Sequence, residues 1–246
     1  MRAFYLFPAA PFLAALLAAP LLAADDGPQP RIVTPGAAGR TTPPSDAIVL
    51  FNGKDTTGFT KLDGSPSACK AIKGEMVCET GAGDIVSKET YTDAQIHLEF
   101  NIPNMPNQKG QMKGNSGAYL QGCFEVQILD GFQNPTYADG SLGALYGFRA
   151  PMVNASRPPG EWQTYDIVYR APKCDTDGKI IKNGSATIFL NGILVQENTV
   201  IDKKGPGCRN QNFCGPGPLL LQDHSGFKDA PHTTMKFRNI WLRKLD

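Results

Sequence analysis

Two adjacent segments near the middle of the chain, GNSGAYL and FEVQILD, constrain the fold most strongly. In the second segment the apolar residues Phe124, Val126 and Ile128 alternate with the polar residues Glu125 and Gln127. Alternation with a period of two is typical of a β-strand whose two faces have different surroundings. One face is therefore expected to pack into a core. The other presents a carboxylate and an amide side by side, the kind of planar hydrogen-bonding groups that hold sugar hydroxyls.

Similar strand-like segments recur along the rest of the chain, with turn-forming residues between them. The chain has 26 glycines and 20 prolines. The Asn191-Gly192 pair between two apolar runs indicates a hairpin, because both residues readily adopt positive φ. We predict strands at residues 47–51, 84–88, 94–102, 116–121, 123–129, 163–170, 185–190, 193–196, 217–224 and 235–244. Such a pattern, with almost no helix, predicts an all-β fold built as a two-sheet antiparallel sandwich, with a closed barrel as the alternative.

The first 24 residues have the composition of a signal peptide. Arg2 precedes an apolar stretch rich in Ala and Leu, and the small residues Ala23 and Ala24 come just before two aspartates. An uncleaved membrane anchor is the alternative, but three prolines in the stretch disfavour a spanning helix. Residues 25–45 are rich in Pro, Gly, Ala and Thr and are predicted to be a flexible leader, so that the folded domain spans 46–246. We expect a periplasmic or extracellular protein with no membrane insertion after cleavage.

Six cysteines in an exported chain predict disulfides. Cys208 and Cys214 flank a short loop and are expected to pair, and Cys69 and Cys78 flank an apparent hairpin and are expected to pair as well. Cys123 and Cys174 remain. A zinc site is the rival interpretation, but the sequence has no C-x-x-C spacing and no nearby pair of histidines.

The charge and the motifs exclude several classes of function. The net charge of +1 gives no strong field for nucleic acid or an anionic membrane. The sequence has no serine elbow, phosphate-binding loop, dinucleotide fingerprint or zinc signature. No cofactor is predicted, although a structural Ca²⁺ is compatible with the loop composition.

Only a few residues are candidates for acid–base chemistry. Glu125 lies on the polar face of its predicted strand, and His224 follows Gln222 and Asp223 at the end of an apolar strand. Rigid elements often place catalytic residues at their ends. A second pair shares one face of the strand at 94–102 and could instead be a hydrogen-bonded or solvated pair, namely His97 and Glu99.

Other side chains are candidates for substrate binding. Aromatic rings could stack on sugar rings, although burial in the core is the commoner fate of such residues. Arg149 lies in a loop rich in Gly and Pro, where its guanidinium could hold a carbonyl or hydroxyl pair. The candidates for binding are Asn115, Tyr119, Gln127, Tyr146, Arg149, Trp162, Gln222, His97 and Glu99.

Several longer motifs together resemble one family. LFNGKDTTGF, GNSGAYLQG, FEVQILD, GALYG, NASRPPGEWQTYDIVYRAP, FLNGILVQEN, GPLLLQDH and FRNIWLR occur in this order between residues 46 and 245. They resemble the 3-keto-disaccharide hydrolase domain family. The resemblance implies a concanavalin-like jelly roll related to the laminarinase type of β-glucanase, and action on glycosides oxidised at C3 of a hexose.

The same comparison shows a departure from ordinary glycosidases. Those β-glucanases carry a Glu-x-Asp-x-x-Glu strand, whereas this chain has Glu125, Gln127 and Asp130 at the equivalent spacing. A retaining mechanism needs two carboxyl groups about 5 Å apart. For a 3-keto sugar, a base could instead remove the acidified hydrogen at C2, so that elimination of the C1 substituent and rehydration give net hydrolysis. The expected acid and base are Glu125 and His224, with Asp223 orienting the histidine.

Two other functions fit the same residues. A non-catalytic carbohydrate-binding module would use the same Glu, Gln, Asn and aromatic side chains on the same fold. A structural or adhesion domain held by disulfides would instead have the face with Glu125 and His224 covered by loops or a partner. A small oligosaccharide or glycoside is the expected ligand in the first two cases.

Overall fold

The computed structural model describes residues 29, 31–32, 42–226 and 230–245. The predicted signal peptide, residues 1–24, lies outside the described residues. The described part folds into two antiparallel β-sheets that pack face to face, with strands numbered here in chain order. It contains no α-helix, only three short 3₁₀ turns, namely Gly110–Met112, Ala138–Gly140 and His224–Gly226. The predicted all-β sandwich of the concanavalin-like jelly-roll type is confirmed.

The larger sheet has eight strands in the order β15-β14-β11-β7-β17-β5-β4, with β2 paired to β17. These strands are β2 Ile48–Phe51, β4 Lys70–Ile72, β5 Glu75–Glu79, β7 Ala94–Asn101, β11 Trp162–Arg170, β14 Gly184–Leu190, β15 Ile193–Ile201 and β17 Thr234–Lys244. Their order is not sequential, so the central strands β7 and β17 bring the middle and the end of the chain together.

The smaller sheet has five strands in the order β3-β6-β16-β8-β9. These are β3 Phe59–Lys61, β6 Ile85–Tyr91, β8 Ser116–Leu120, β9 Phe124–Ile128 and β16 Gly217–Leu221. Two pairs of short strands complete the fold, β1 Arg31–Ile32 with β10 Val153–Asn154, and β12 Lys173–Cys174 with β13 Ile180–Lys182. The predicted strand at 217–224 is shorter than expected, because the chain leaves the sheet after Leu221 and turns at His224.

The core lies between the two sheets and follows the alternation in the sequence. On β7 the side chains of Ile96, Leu98 and Phe100 are fully buried, and on β9 those of Phe124 and Val126 are too. Removing such apolar surface from water is the main force that holds two sheets together. The alternation thus fixes which face of each strand points inward.

The predicted hairpin at Asn191-Gly192 joins β14 and β15. Both residues have positive φ, 55° and 79°. The Asn191 side chain also accepts a hydrogen bond from the backbone N–H of Thr164 at 2.9 Å and donates to the carbonyl of Ala155 at 2.8 Å. This residue therefore forms the turn and ties it to neighbouring segments.

The cysteine pairing differs in part from the expectation. The predicted pair Cys69–Cys78 is present and bridges the β4–β5 hairpin. The prediction that Cys208 pairs with Cys214 is wrong, because Cys208 bonds to Cys123 and Cys214 bonds to Cys174. Closeness in sequence suggested the short loop, but the fold places the segment 202–216 across the start of β9. Three disulfides occupy all the cysteines, and the structure gives no support for a zinc–thiolate site.

Part of the predicted flexible leader contacts the domain. Arg31–Ile32 pair in parallel with Val153–Asn154, and the Gln29 side chain donates a hydrogen bond to the carbonyl of Thr136 at 2.9 Å. Gln29 and Arg31–Ile32 of the predicted leader are thus bound to the domain. Backbone pairing of this kind leaves no hydrophobic signal in the sequence.

Candidate functional site

A groove lies on the outer face of the smaller sheet, where β8, β9 and the end of β16 meet. In the antiparallel β8–β9 ladder Tyr119 pairs directly with Glu125, and Gly117 pairs with Gln127. Paired residues project from the same face of a sheet. The polar face predicted for the FEVQILD strand is therefore the floor of this groove.

Two loops turn this open face into a deep site. The backbone of residues 143–146 pairs with the edge of β9, with the N–H of Tyr146 donating to the carbonyl of Glu125 at 2.9 Å. On the opposite wall the turn Gly110–Met112 is held by Asn134, which accepts from the N–H of Gly110 at 2.7 Å. Burial of Glu125 and Gln127 follows from these loops rather than from the sheet itself.

The groove encloses about 420 Å³, a volume within the usual range for small-ligand sites. Polar and aromatic side chains make up most of its wall, and they come from six different segments of the chain. Its lining residues are Gln111, Met112, Asn115, Tyr119, Glu125, Gln127, Tyr137, Tyr146, Pro206, Gly207, Arg209, Gln222 and His224. Seven of the predicted site residues therefore converge, although they span more than 100 positions in sequence.

Glu125 is the central carboxyl group of the groove and is only 6% exposed. Burial raises the pKa of Glu125 to about 7, because a desolvated carboxylate is disfavoured. The hydroxyl of Tyr119 donates a hydrogen bond to Oε2 of Glu125 at 2.8 Å and partly opposes this rise. A carboxyl group with such a pKa exchanges protons readily near neutral pH.

His224 reaches the same groove from the first position of the 3₁₀ turn that follows β16. Burial lowers the pKa of His224, and the nearby charge of Asp223 partly opposes this change. The Asp223 carboxylate itself accepts hydrogen bonds from the backbone N–H groups of Gly81, Gly83 and Ser225. Asp223 thus anchors two loops under His224, and its electrostatic effect on the imidazole is secondary.

Amide side chains supply unused hydrogen-bonding capacity. The carbonyl oxygens of Gln127 and Gln222 are buried and have no hydrogen-bond partner among the described residues. Asn115 donates to the backbone carbonyl and to the side-chain oxygen of Gln111, at 2.9 and 3.0 Å. Buried acceptors without partners are costly unless a ligand or water satisfies them, so these amides are suited to sugar hydroxyls.

Some lining residues were not singled out from the sequence. Tyr137 shares a hydrogen bond of 2.8 Å between its hydroxyl and that of Tyr146, and their rings meet edge to face. Arg209 lies over the ring of Tyr119, 4.9 Å from its centroid, and its Nε is 2.6 Å from a carboxylate oxygen of Asp84. Both Tyr137 and Arg209 lie in irregular loops, where no periodicity marks them. In the sequence, only the position of Arg209 next to Cys208 could have indicated that Arg209 lines the groove.

Three predicted binding residues lie elsewhere. His97, Glu99 and Trp162 lie on the outer face of the larger sheet, away from the groove. There Nδ1 of His97 is 2.7 Å from Oδ1 of Asp166, and Nε of Arg238 is 2.5 Å from Oε2 of Glu99. The period-two pattern correctly put His97 and Glu99 on one face, but it cannot say to which sheet a strand belongs.

Two further positions lie outside the groove. Arg149 is exposed and does not line the groove; its backbone carbonyl accepts from the Gln196 side chain at 3.1 Å. Asp130, the third carboxyl position of the β-glucanase comparison, is buried 3.1 Å from Nζ of Lys113. Of the residues described as lining the groove, Glu125 is the sole carboxylic acid, which disfavours a two-carboxylate retaining mechanism.

Neither a metal cluster nor a membrane-spanning helix is found in the part of the chain that the structure describes. No group of three or more His, Cys, Asp or Glu side chains there is arranged to hold a metal ion. None of the described helices is long and apolar enough to cross a membrane.

Comparison with known proteins identifies the family. Residues 46–243 match the model of the 3-keto-disaccharide hydrolase family, described as a 3-keto-alpha-glucoside-1,2-lyase-like domain. None of the curated proteins compared with the chain matches its sequence.

Two solved structures from Parabacteroides distasonis, each described as a "putative glycosyl hydrolase", are similar to this chain. One is 38% identical with a TM-score of 0.77, and the match covers 89% of this chain and 93% of that one. The other is 21% identical with a TM-score of 0.58, covering 82% and 94%, and supports the fold alone. A jelly roll with a groove of this composition, and a family match over nearly the whole domain, lead to one conclusion: the chain belongs to the 3-keto-disaccharide hydrolase family of carbohydrate-active domains.

Proposed function

We propose that this protein is an exported enzyme that cleaves the glycosidic bond of 3-keto-glycosides or 3-keto-disaccharides by elimination followed by rehydration. One observation carries the proposal: Glu125, whose buried carboxyl group has a raised pKa, and the imidazole of His224 line one groove together with unsatisfied amide oxygens. The description of the family model as a 1,2-lyase-like domain supports the same chemistry.

The first step is removal of the hydrogen at C2, which the neighbouring C3 ketone makes acidic. Glu125 takes this proton, because its raised pKa makes its carboxylate a stronger base than an ordinary glutamate. The electron pair forms a C2–C3 enolate with the charge on the C3 oxygen. The Gln127 amide nitrogen, whose hydrogen bond to Gln111 is long at 3.4 Å, is the candidate donor to that oxygen.

The second step breaks the C1–O bond. The enolate restores the C3 ketone, a C1–C2 double bond forms, and the leaving oxygen receives a proton. His224 supplies this proton as its imidazolium. Burial lowers the pKa of His224, which makes the imidazolium a stronger acid and also a less populated form at neutral pH. Addition of water across the new double bond then returns a 3-keto sugar, so that the net reaction is hydrolysis.

The experiment is to incubate the protein with p-nitrophenyl and alkyl 3-keto-glucosides and to follow release of the aglycone and of the 3-keto-2-hydroxyglucal product. Glu125→Gln is expected to reduce turnover at least ~100-fold with every leaving group and to abolish deuterium exchange at C2 in D₂O. His224→Ala is expected to reduce turnover by a similar factor for alkyl leaving groups. Its effect should be much smaller for p-nitrophenol, which departs without a proton.

Two exposed residues give matched controls. Glu197→Gln and His232→Ala change the same side-chain types outside the groove, and both should keep wild-type turnover. If Glu125→Gln and His224→Ala also kept near-wild-type rates, the proposed mechanism would be wrong.

The same assays distinguish a carbohydrate-binding module. A module would bind oxidised or unoxidised disaccharides in calorimetry and release no product, because it needs the amides and aromatic rings but no acid–base pair. If the protein were a structural or adhesion domain, the face with Glu125 and His224 would be covered by loops or a partner. Among the described residues the face instead forms a groove of about 420 Å³.

Export is part of the proposal. Three disulfides are typical of proteins that fold in an oxidising compartment such as the periplasm or the extracellular space. Secretion of the full-length chain, with cleavage after Ala23 or Ala24, would be seen by N-terminal sequencing of the mature protein. An uncleaved N-terminus in the membrane fraction would contradict it.

A further inference from the structure

Tyr119 occupies a special position relative to the proposed catalytic carboxyl group. It is the direct cross-strand partner of Glu125 in the β8–β9 ladder, and both side chains are almost fully buried. Its hydroxyl donates to Oε2 of Glu125 at 2.8 Å. The bond is therefore built into the register of two strands, which positions it more precisely than a loop residue would.

The other side of the phenol is also fixed. Nε2 of Gln222 donates to the Tyr119 oxygen at 3.1 Å. The backbone of Gln222 is held in turn, because its N–H donates to the carbonyl of Gly117 at 2.9 Å and its carbonyl accepts from the Ser116 hydroxyl at 2.8 Å. With its oxygen engaged by an N–H donor, the phenol directs its own proton towards Glu125.

A glycine leaves the space for this arrangement. A Cβ added to Gly117 would lie 2.5 Å from Oε1 of Glu125 and 2.9 Å from the ring of Tyr119. The φ of Gly117 is not positive, so the backbone itself does not require glycine there. The absence of a side chain is thus what allows carboxylate and phenol to approach each other.

Other charged or titratable groups face Glu125 from several elements. Arg209 lies over the Tyr119 ring and favours the ionised carboxylate, whereas Asp84 opposes it. His224 and the Tyr137–Tyr146 pair line the same groove. Tyr119 itself donates a hydrogen bond to the carboxylate.

We propose that Tyr119 is a positioning residue for Glu125: its hydroxyl holds the carboxylate in one orientation and favours the ionised form that accepts the C2 proton. This inference rests on the proposed function, since it assigns a role to a neighbour of the proposed base. A hydrogen bond to the charged form stabilises it relative to the protonated form.

The test is Tyr119→Phe in the full-length protein, which removes only the hydroxyl. The limb of the pH–kcat/KM profile that Glu125 governs should move to higher pH by about one unit, the size expected for one hydrogen bond to a charged group. At the pH optimum kcat should fall ~10- to 100-fold while KM changes less than about twofold, because orientation matters more in the transition state than in binding. Direct titration of the Glu125 side-chain carbon by NMR should show the same upward shift of its pKa.

Two further variants keep the inference testable. Gln222→Met removes the donor that polarises the phenol and should shift the Glu125 titration in the same direction by a smaller amount. Tyr169→Phe removes another buried hydroxyl, one bonded to Gln121 in the core, and should leave the Glu125 titration in place.

The outcomes separate this inference from the proposed function. If the wild-type protein does not turn over 3-keto-glucosides, the NMR titration of Tyr119→Phe still tests whether Tyr119 controls Glu125. If the wild-type enzyme is active but neither Tyr119→Phe nor Gln222→Met moves the Glu125 titration or the pH profile, the role of Tyr119 is wrong and the proposed function stands.

Discussion

At the level of single residues, the most consequential feature is a buried carboxyl group that accepts a hydrogen bond from a neutral phenol. Glu125 is 6% exposed, and the neutral phenol of Tyr119 donates a hydrogen bond to it. Burying an ionised carboxylate in this way costs free energy of folding. Proteins accept that cost mainly at functional sites, where a perturbed pKa serves the chemistry.

This cost should be visible as a pH-dependent stability. The pKa of Glu125 is about 7 in the folded state, compared with 4.5 for an ordinary glutamate. Between these values the unfolded chain loses its proton first, so the free energy of unfolding decreases as pH rises and becomes level above about pH 7. Glu125→Gln removes this titration. The free energy of unfolding of the variant minus that of the wild type should therefore rise by about 3 kcal/mol between pH 4.5 and pH 8.

Urea unfolding of both proteins across this range measures the difference. Glu197→Gln, which changes an exposed glutamate, should show no such trend. Parallel stability curves for wild type and Glu125→Gln would mean that Glu125 titrates as in water.

At the level of secondary-structure elements, the β8–β9 hairpin is the unit that builds the site. Its inward face fills the core with Phe124, Val126 and Ile128, and its outward face carries Tyr119 and Glu125. Its turn uses Gln121 and Gly122, which both have positive φ. A slip of one residue in this ladder would exchange the two faces, so the register determines both core and groove.

Gly117→Ala tests how tightly this hairpin is packed. The added Cβ would lie 2.5 Å from Oε1 of Glu125, so the carboxylate or the strand must move. Turnover should fall at least ~10-fold, because a displaced base is poorly oriented, and the free energy of unfolding should fall by about 1–3 kcal/mol from overpacking.

Steady-state kinetics and urea unfolding check both parts of this prediction. Gly226→Ala is the control for stability, because a Cβ there would meet nothing within 4 Å and its φ is not positive. Its free energy of unfolding should stay within about 0.5 kcal/mol of wild type. Unchanged activity of Gly117→Ala would show that the Glu125 carboxylate can accommodate the added Cβ without losing its orientation.

At the level of the whole molecule, the groove depends on segments brought together by long-range links. The Cys123–Cys208 disulfide joins the start of β9 to the loop that carries Arg209, across a sequence separation of 85 residues. The backbone N–H of Arg209 also donates to the carbonyl of Gly122 at 2.9 Å. One wall of the groove is thus attached to its floor by a covalent bond.

The disulfides should therefore differ in how much each contributes to the free energy of unfolding. Replacing Cys123 and Cys208 together with Ala is expected to reduce the free energy of unfolding by about 4–5 kcal/mol, because the closed loop is long. The Cys69/Cys78 double replacement opens a span of only 9 residues and should cost less, about 2–3 kcal/mol. Urea unfolding shows which double replacement lowers the free energy of unfolding more. If the Cys69/Cys78 replacement were the more destabilising, loop length would not control the contribution of these disulfides.

Sequence alone determined the strands and their faces. The alternation in segments such as 94–102 and 123–129 located ten of the thirteen strands of the two main sheets, because burial of one face leaves a period-two pattern, whereas the short strands β3, β4 and β5 were not predicted. The Asn191-Gly192 turn followed from the positive φ that both residues adopt. The grouping of Glu125, Gln127 and His224 as site residues came from the same local patterns.

Only the tertiary structure decided which of these faces meet. His97 and Glu99 follow the same alternation as Glu125, yet they belong to the other sheet, and Cys208 bonds to a cysteine 85 positions away rather than to its near neighbour. Strand order and loop path are set by contacts between distant segments, and local sequence carries little information about them. For the same reason Tyr137 and Arg209, which complete the groove from irregular loops, became recognisable only once the chain was folded.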